Sequence, residues 1–220
     1  RVYVAKESRA HGVDALATAA KAAGVPFDYV PQAKLNELAE TMEHQGVVAA
    51  VSPVAYASFE SVMETCPAKA IVLVLDQVQH PRNLGMLLRT AACAGVHAAI
   101  IPARGGALID DDVLRASAGA VFHVPVAMCS NVAQVLRDLR DAGFWTYGLD
   151  AAGEQSVFDV QWADRCALVM GNETNGLRPG VRKACDVAVR IPLAKGMESL
   201  NVSVAAGVAL FQAAGSHGLK

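Results

Sequence analysis

LVMGNETNGL, residues 168–177, and IPLAKGMESLNVSVAAGVALFQ, residues 191–212, decide the fold. The first continues a buried strand, Ala167 to Met170, into a polar turn flanked by Gly171 and Gly176. The second reads as a strand ending at Ile191-Pro192, a loop containing Gly196, and a helix from about Ser199. Loops rich in Gly, Asn, Glu and Ser at strand ends are where an α/β protein holds a ligand.

Working outward, the texture from Ala70 onward is one of near-continuous apolar runs separated by helical patterns. IVLVLD (71–76), VHAAII (96–101), HVPVAM (123–128), FWTYGLD (144–150), ALVMG (167–171) and VAVRIP (187–192) are the strands; residues 83–94 and the amphipathic stretch 132–142 are helices between them. Such alternation predicts an α/β fold with a mostly parallel sheet flanked by helices on both faces. Residues 1–53 form a separate, smaller alternating unit: VYVA, a helix over 11–23, FDYV, a helix over 34–42, and VVAAVS. Gly24-Val25-Pro26 and Gln45-Gly46 break it. Residues 54–69, with Pro67 and several serines around a short helical segment, read as a linker, which leaves 70–220 as the second domain.

Bulk composition narrows the class. The 220 residues carry a net charge of −2, and up to Pro53 five Lys/Arg face six Asp/Glu. A nucleic-acid binder normally shows a basic footprint, so an RNA reading rests on motifs and local clusters. No apolar run approaches the roughly 18 residues of a membrane span, and no signal peptide is evident. The chain opens at Arg1 inside a strand, so the expectation is that its biological start lies upstream. Cys66, Cys93, Cys129, Cys166 and Cys185 are scattered without a CxxC pair, which predicts five buried, reduced thiols in a cytoplasmic protein and no zinc. His80, His97 and His123 lack metal spacing, and no metal is expected.

Three segments carry candidate chemistry. In LDQVQHPRNLGMLLRTAACAG, Asp76 ends a strand, Pro81 forces an extended turn, and Asn83 stands at the expected helix N-cap. Arg89 falls off the apolar stripe of Leu84, Leu87, Leu88 and Ala91, as either a solvated charge or a site group. In GNETNG, Gly171 lets a ligand approach the backbone, and Glu173 is either a helix N-terminal charge or a catalytic partner. In AKGMESLNVSV, Ser199 and Asn201 serve either as N-cap and first-turn residue or as substrate contacts.

Taken together and in order, Asn83-Leu84-Gly85-x-x-x-Arg89, Gly171-x-Glu173-x-x-Gly176, and Ile191-Pro192-Leu193 followed by Ser199-Leu200-Asn201-Val202-Ser203 resemble the motif triplet of the SpoU family. These are RNA ribose 2′-O-methyltransferases of the SPOUT superfamily. The resemblance spans residues 70–220, while 1–53 are similar to the ribosomal-protein-like RNA-binding domain that precedes the catalytic domain in bacterial 23S rRNA members. It implies a trefoil-knotted catalytic domain, S-adenosylmethionine as methyl donor, a homodimer formed through the knotted domain, and RNA as partner. The favoured target is a guanosine of 23S rRNA, because tRNA-specific members lack the N-terminal domain. By the same resemblance Gly171, Ile191 and Leu200 would contact the donor, and Asn83, Arg89, Glu173, Ser199 and Asn201 would line the reaction site. The loop 194–198 is bulkier and more charged than in many rRNA members. The alternatives are a tRNA ribose methyltransferase, a noncatalytic RNA-binding protein of the same fold, and a small-molecule enzyme using the same sheet edge.

Moving a methyl group to a ribose hydroxyl asks for in-line placement and removal of one proton, and placement supplies most of the barrier reduction. Arginine is ordinarily protonated above pH 12, so orienting a phosphate or hydroxyl suits Arg89 better than acting as base.

Overall fold

The computed structural model describes residues 1–6, 12–39 and 44–219. Two compact units are present, Arg1–Pro53 and Val54–Lys220. In the first, β1 (Val2–Ala5), α1 (Val13–Ala22), β2 (Phe27–Val30), α2 (Gln32–Ala39) and β3 (Val47–Ala49) follow one another. The strands form a sheet of order β2-β1-β3, with β1 parallel to β2 and antiparallel to β3. Val4 and Leu35 are its fully buried anchors. The expected extensions of the two helices to His11 and to Met42 lie outside the described residues.

The second unit begins earlier than the sequence suggests. α3 (Phe59–Glu64) is capped by Ser58, whose hydroxyl accepts from the Ser61 N–H, and it buries Val62 on the body of this unit. Ala57 forms a bridge with Ala127. The stretch expected to be a linker over 54–69 is therefore packed structure, because Tyr56, Phe59, Val62 and Met63 give it an apolar side to bury.

From there the chain runs through β4 (Ala70–Leu75), α4 (Pro81–Cys93), β5 (Ala98–Pro102), α5 (Asp111–Ser117), a 3-10 turn at 120–122, β6 (Val126–Cys129), α6 (Val132–Asp141) and β7 (Trp145–Leu149). It continues through β8 (Gln155–Ser156), β9 (Arg165–Met170), α7 (Pro179–Ala184), β10 (Val187–Arg190) and α8 (Val202–Ser216). All seven strands are parallel, in the order β6-β5-β4-β9-β7-β10-β8. Alternation along β4 explains the two-faced core. Ile71, Leu73 and Leu75 meet α4, α5 and α8 on one face, and Val72 and Val74 meet α3, α6 and α7 on the other. Gly85 belongs to this packing: a Cβ there would lie 2.6 Å from the Ala116 Cβ and 2.8 Å from the Val113 carbonyl, so α4 and α5 cross in contact at that point.

The cysteines do not behave alike. Cys129 and Cys166 are buried, Cys66 and Cys185 half-buried, and Cys93 is exposed where α4 ends. Burial pushes the thiols of Cys166 and Cys185 up to about 12, so neither is a nucleophile at neutral pH. Among the described residues no helix is long and apolar enough to cross a membrane, and no group of three potential metal ligands occurs.

Candidate active site

In a parallel sheet every strand delivers its following loop to the same edge. Because β4, β9, β7 and β10 are neighbours, the loops after them converge, and a cavity of about 450 Å³ opens there. That is within the range of small-ligand pockets. Its walls differ in character. Leu149, Ile191, Leu193, Leu200, Val202 and Ala205 supply apolar surface, and the loop from Gly171 to Leu177 supplies polar backbone and side chains. Asp150, Glu198 and Ser199 stand on its margin.

The loops are laced together by side chains. At the end of β4, Asp76 is completely buried. It accepts from the Arg178 backbone N–H at 3.0 Å and from its Nε at 2.8 Å, which ties the far end of the 171–178 loop to the sheet. Asn172 works in two directions. Its Oδ1 accepts from the N–H groups of Thr174 and Asn175, folding the turn, and its Nδ2 donates to the Gln77 carbonyl at 2.9 Å. Gln77 itself sits at φ 64°, a conformation normally left to glycine, four residues before the start of α4.

Glu173 occupies the centre. Its carboxylate accepts from four N–H groups: the backbone of Gln79 and His80, the Asn83 amide and the Asn172 amide. Asn83 in turn accepts at Oδ1 from the Asn201 amide at 3.2 Å. Asn201 caps α8, its Oδ1 accepting from the Ser203 N–H at 2.9 Å and from the Ser203 hydroxyl. The starts of α4 and α8 are thus joined through one asparagine pair. Of the two readings of Glu173, the geometry matches the helix N-terminal charge.

Two capping expectations need correction. Asn83 is not the N-cap of α4: the helix starts two residues earlier at Pro81, whose fixed φ and missing N–H suit the first helical position, and His80 is the cap. The backbone N–H groups of Gln79 and His80, just ahead of the helix, are satisfied by Glu173 from another loop. Nor does Ser199 cap the last helix. Asn201 does, α8 starts at Val202, and Ser199 remains exposed on the cavity margin. Ser203, buried and hydrogen-bonded to Asn201, was not singled out by the sequence, since a serine inside an apolar helix reads as packing.

Gly171, Ile191 and Leu200 all line the cavity. The reason for glycine at 171 is different from the one expected. A Cβ there would lie 2.1 Å from the Gly176 carbonyl carbon and 2.3 Å from the Leu177 nitrogen, so it is the loop closing on itself, through the paired Asn172 and Gly176, that requires it. Arg89 is not brought into the cavity. It is exposed two turns along α4 from Asn83, with no hydrogen bond or ion pair among the described residues.

Burial of Glu173 by itself would raise its pKa, but the N–H of His80, the amide of Asn83 and the neighbouring backbone donors outweigh it and hold the carboxyl below its ordinary value. A depressed carboxyl contributes stability that is complete above its unfolded value and is lost as pH falls through the lower folded value. Thermal midpoints of the wild type and Glu173→Gln should therefore differ at neutral pH and converge below the ordinary carboxylate range. A gap that stays constant down to that acid range would show that the charge contributes nothing to the lacing.

Strand order, parallel direction and the place of the cavity define an α/β protein with a small-ligand site at the carboxyl edge of its sheet. The AdoMet-bound rRNA methyltransferase from Sinorhizobium meliloti superposes with a TM-score of 0.79 at 27% identity, covering 100% of this chain and 80% of that one. The sequence profile of the SpoU rRNA Methylase family matches residues 70–211, and that of RNA 2′-O ribose methyltransferase substrate binding matches residues 1–57. The chain belongs to the SpoU rRNA methylase family. It is 41% identical over 197 residues to the 23S rRNA (guanosine-2′-O-)-methyltransferase RlmB of Xanthomonas axonopodis pv. citri, covering 88% of this chain and 79% of that protein. With the enzyme of the same name from Ralstonia nicotianae it shares 38% over 213 residues, 96% of this chain and 86% of the relative.

Proposed function

We propose that this protein transfers the methyl group of S-adenosylmethionine to a guanosine ribose 2′-hydroxyl in 23S rRNA, in the cytoplasm. The observation that carries the reading is the meeting of the Glu173–Asn83–Asn201 network with the cavity lined by Gly171, Ile191 and Leu200. Those walls fit the donor. An adenosyl group needs apolar faces for its flat ring, which Ile191, Leu193 and Leu200 offer, and polar partners around its edges, which the 171–177 loop offers.

The donor supplies a methyl group on a positively charged sulfur that leaves as a neutral thioether, so little acid–base strength is asked of the protein. The protein positions. Asn83 and Asn201 hold each other through one hydrogen bond, which fixes the lip of the cavity where the ribose has to stand. Glu173, with four N–H groups on its carboxylate, is a positioning residue for Asn83 and not the proton acceptor. Arg89, exposed and without a partner among the described residues, orients the target nucleotide through its phosphate or hydroxyl, and Ser199 adds a hydroxyl at the exposed margin. The 2′-hydroxyl proton leaves to solvent on that open side.

Residues 1–53 bind the rRNA, a role supported by the substrate-binding profile over 1–57. A trefoil-knotted path and a homodimer belong to the same reading. β10 lies between β7 and β8, two strands made before it, and α8 presents Val204 and Phe211 one above the other on an uncovered face. Purified protein with labelled S-adenosylmethionine should methylate 23S rRNA transcript and leave tRNA unlabelled. Label appearing in tRNA and not in 23S rRNA overturns the substrate. Donor binding with no transfer to either overturns the enzyme.

A further inference from the structure

We infer that Arg82 and Arg104 form a phosphate grip for the RNA strand beside the target nucleotide, continuing outward from Arg89. The inference rests on the reading of the chain as an RNA ribose methyltransferase and adds to it the surface that holds the strand.

It starts from where charge is left over. The second unit contains ten arginines. Seven are engaged by neighbours: Arg115 by Asp112, Arg137 by Gln134, Arg140 by Asp186, Arg165 by the Ala142 carbonyl, Arg178 by Asp76, Arg182 by Asp150, and Arg190 by the Gly153 carbonyl. The other three, Arg82, Arg89 and Arg104, are exposed and have no hydrogen bond or ion pair among the described residues. All three flank the loop between β4 and α4.

Their placement makes a track. Arg82 and Arg89 are seven residues apart on α4, hence on one side of the helix and about 10 Å from each other along its axis. Arg104 opens the loop after β5, which lies on the turn leading into the same helix. The Ala107 N–H donates to the Val78 carbonyl at 2.8 Å, and a Cβ at Gly105 would lie 2.6 Å from the Gln77 Nε2. None of the nearby carboxylates forms an ion pair with these arginines among the described residues. Asp76 is held by Arg178, Glu173 by four N–H groups, Asp110 by the Val113 N–H, and Asp112 by Arg115.

An extended row of planar cations suits a polyanion with repeated phosphates, which arginine grips through two N–H groups at once. The donor is not what they serve, because neither Arg82 nor Arg104 lines its cavity. In a chain of net charge −2, three guanidiniums without an ion pair among the described residues, two on α4 and one in the loop beside its start, concentrate attraction where the strand must enter.

The test uses the full chain, a 23S rRNA transcript and the Arg82→Ala/Arg104→Ala double variant. RNA binding is titrated across KCl concentrations, alongside labelled methyl transfer and calorimetric donor binding. For a single strand each neutralised phosphate contributes about 0.7 to the slope of log affinity against log salt, so the double variant should lose about 1.4. Its KM for RNA should rise about tenfold, with kcat at saturating RNA and donor affinity within about twofold of wild type. The Arg82→Lys/Arg104→Lys variant should keep the wild-type slope, which a structural defect would not allow. An unchanged slope in the alanine variant overturns the grip, and so does a lysine variant as impaired as alanine. Binding is read whether or not methyl is transferred, so a reduced slope with no transfer by the wild type leaves the grip standing and removes the reaction instead.

Discussion

Arg89→Ala should lower methyl transfer by about 100-fold or more while donor affinity stays within a few-fold. Positioning and electrostatic groups of this type typically contribute that much to a rate. The split follows from the proposed reading: the cavity assigned there to the donor is built from the loops after β9, β7 and β10, and Arg89 is on none of them. Arg89→Lys sharpens the result by keeping the charge and removing the planar fork. Single-turnover transfer with saturating donor and RNA measures it. Near wild-type turnover for lysine would mean that a point charge suffices; near wild-type turnover for alanine would reduce Arg89 to a solvated helix residue.

The second large effect is expected at Gly171. The Cβ of Gly171→Val would collide with backbone atoms of Gly176 and Leu177, which cannot swing aside as a flexible side chain can. The 171–177 loop must open instead, and with it one wall of the donor cavity. Overpacking of about 1–3 kcal/mol corresponds to roughly a 5- to 150-fold loss of S-adenosylmethionine affinity. The remaining sheet is held by its own core and by the Asp76–Arg178 pair, so the variant should still fold, with a lowered thermal midpoint. Calorimetry on folded protein giving wild-type affinity would show that the loop does not shape the cavity.

Most of the architecture was legible in the sequence because it rests on local pattern. The apolar runs of β4, β5 and β9, buried on both sides, admit only interior strands. The candidate site residues could be proposed as a set only because three motifs stand in order along the chain. What escaped was whatever depends on partners distant in sequence. Asn83 read as a cap because the residue that satisfies the start of α4, Glu173, is 90 positions away. Asp76 and Arg178 are 102 apart, and nothing local announces that they pair. Residues 54–69 read as a linker because short helices with serine and proline resemble linkers until the surface they bury against is known. Gly171 was assigned its need from a ligand, whereas the closer demand comes from its own loop.

The place of β10 has a consequence for how the protein comes into being. β8 is an edge strand whose one partner among the described residues is β10, so it joins the sheet only once β10 has come to lie beside β7; the partners of β10 are parallel to it and far away along the chain, the slowest kind of pairing to establish. Ile191, Leu200 and Ala205 follow that strand, so the wall they build is among the last to leave the ribosome and the last to close. Affinity for the methyl donor therefore matures after the sheet does, and a nascent or C-terminally clipped chain is inert however well its first strands have packed. Once closed, the wall makes the ligand a brake on the reverse process: unfolding that begins by withdrawing β10 must first release what the cavity holds.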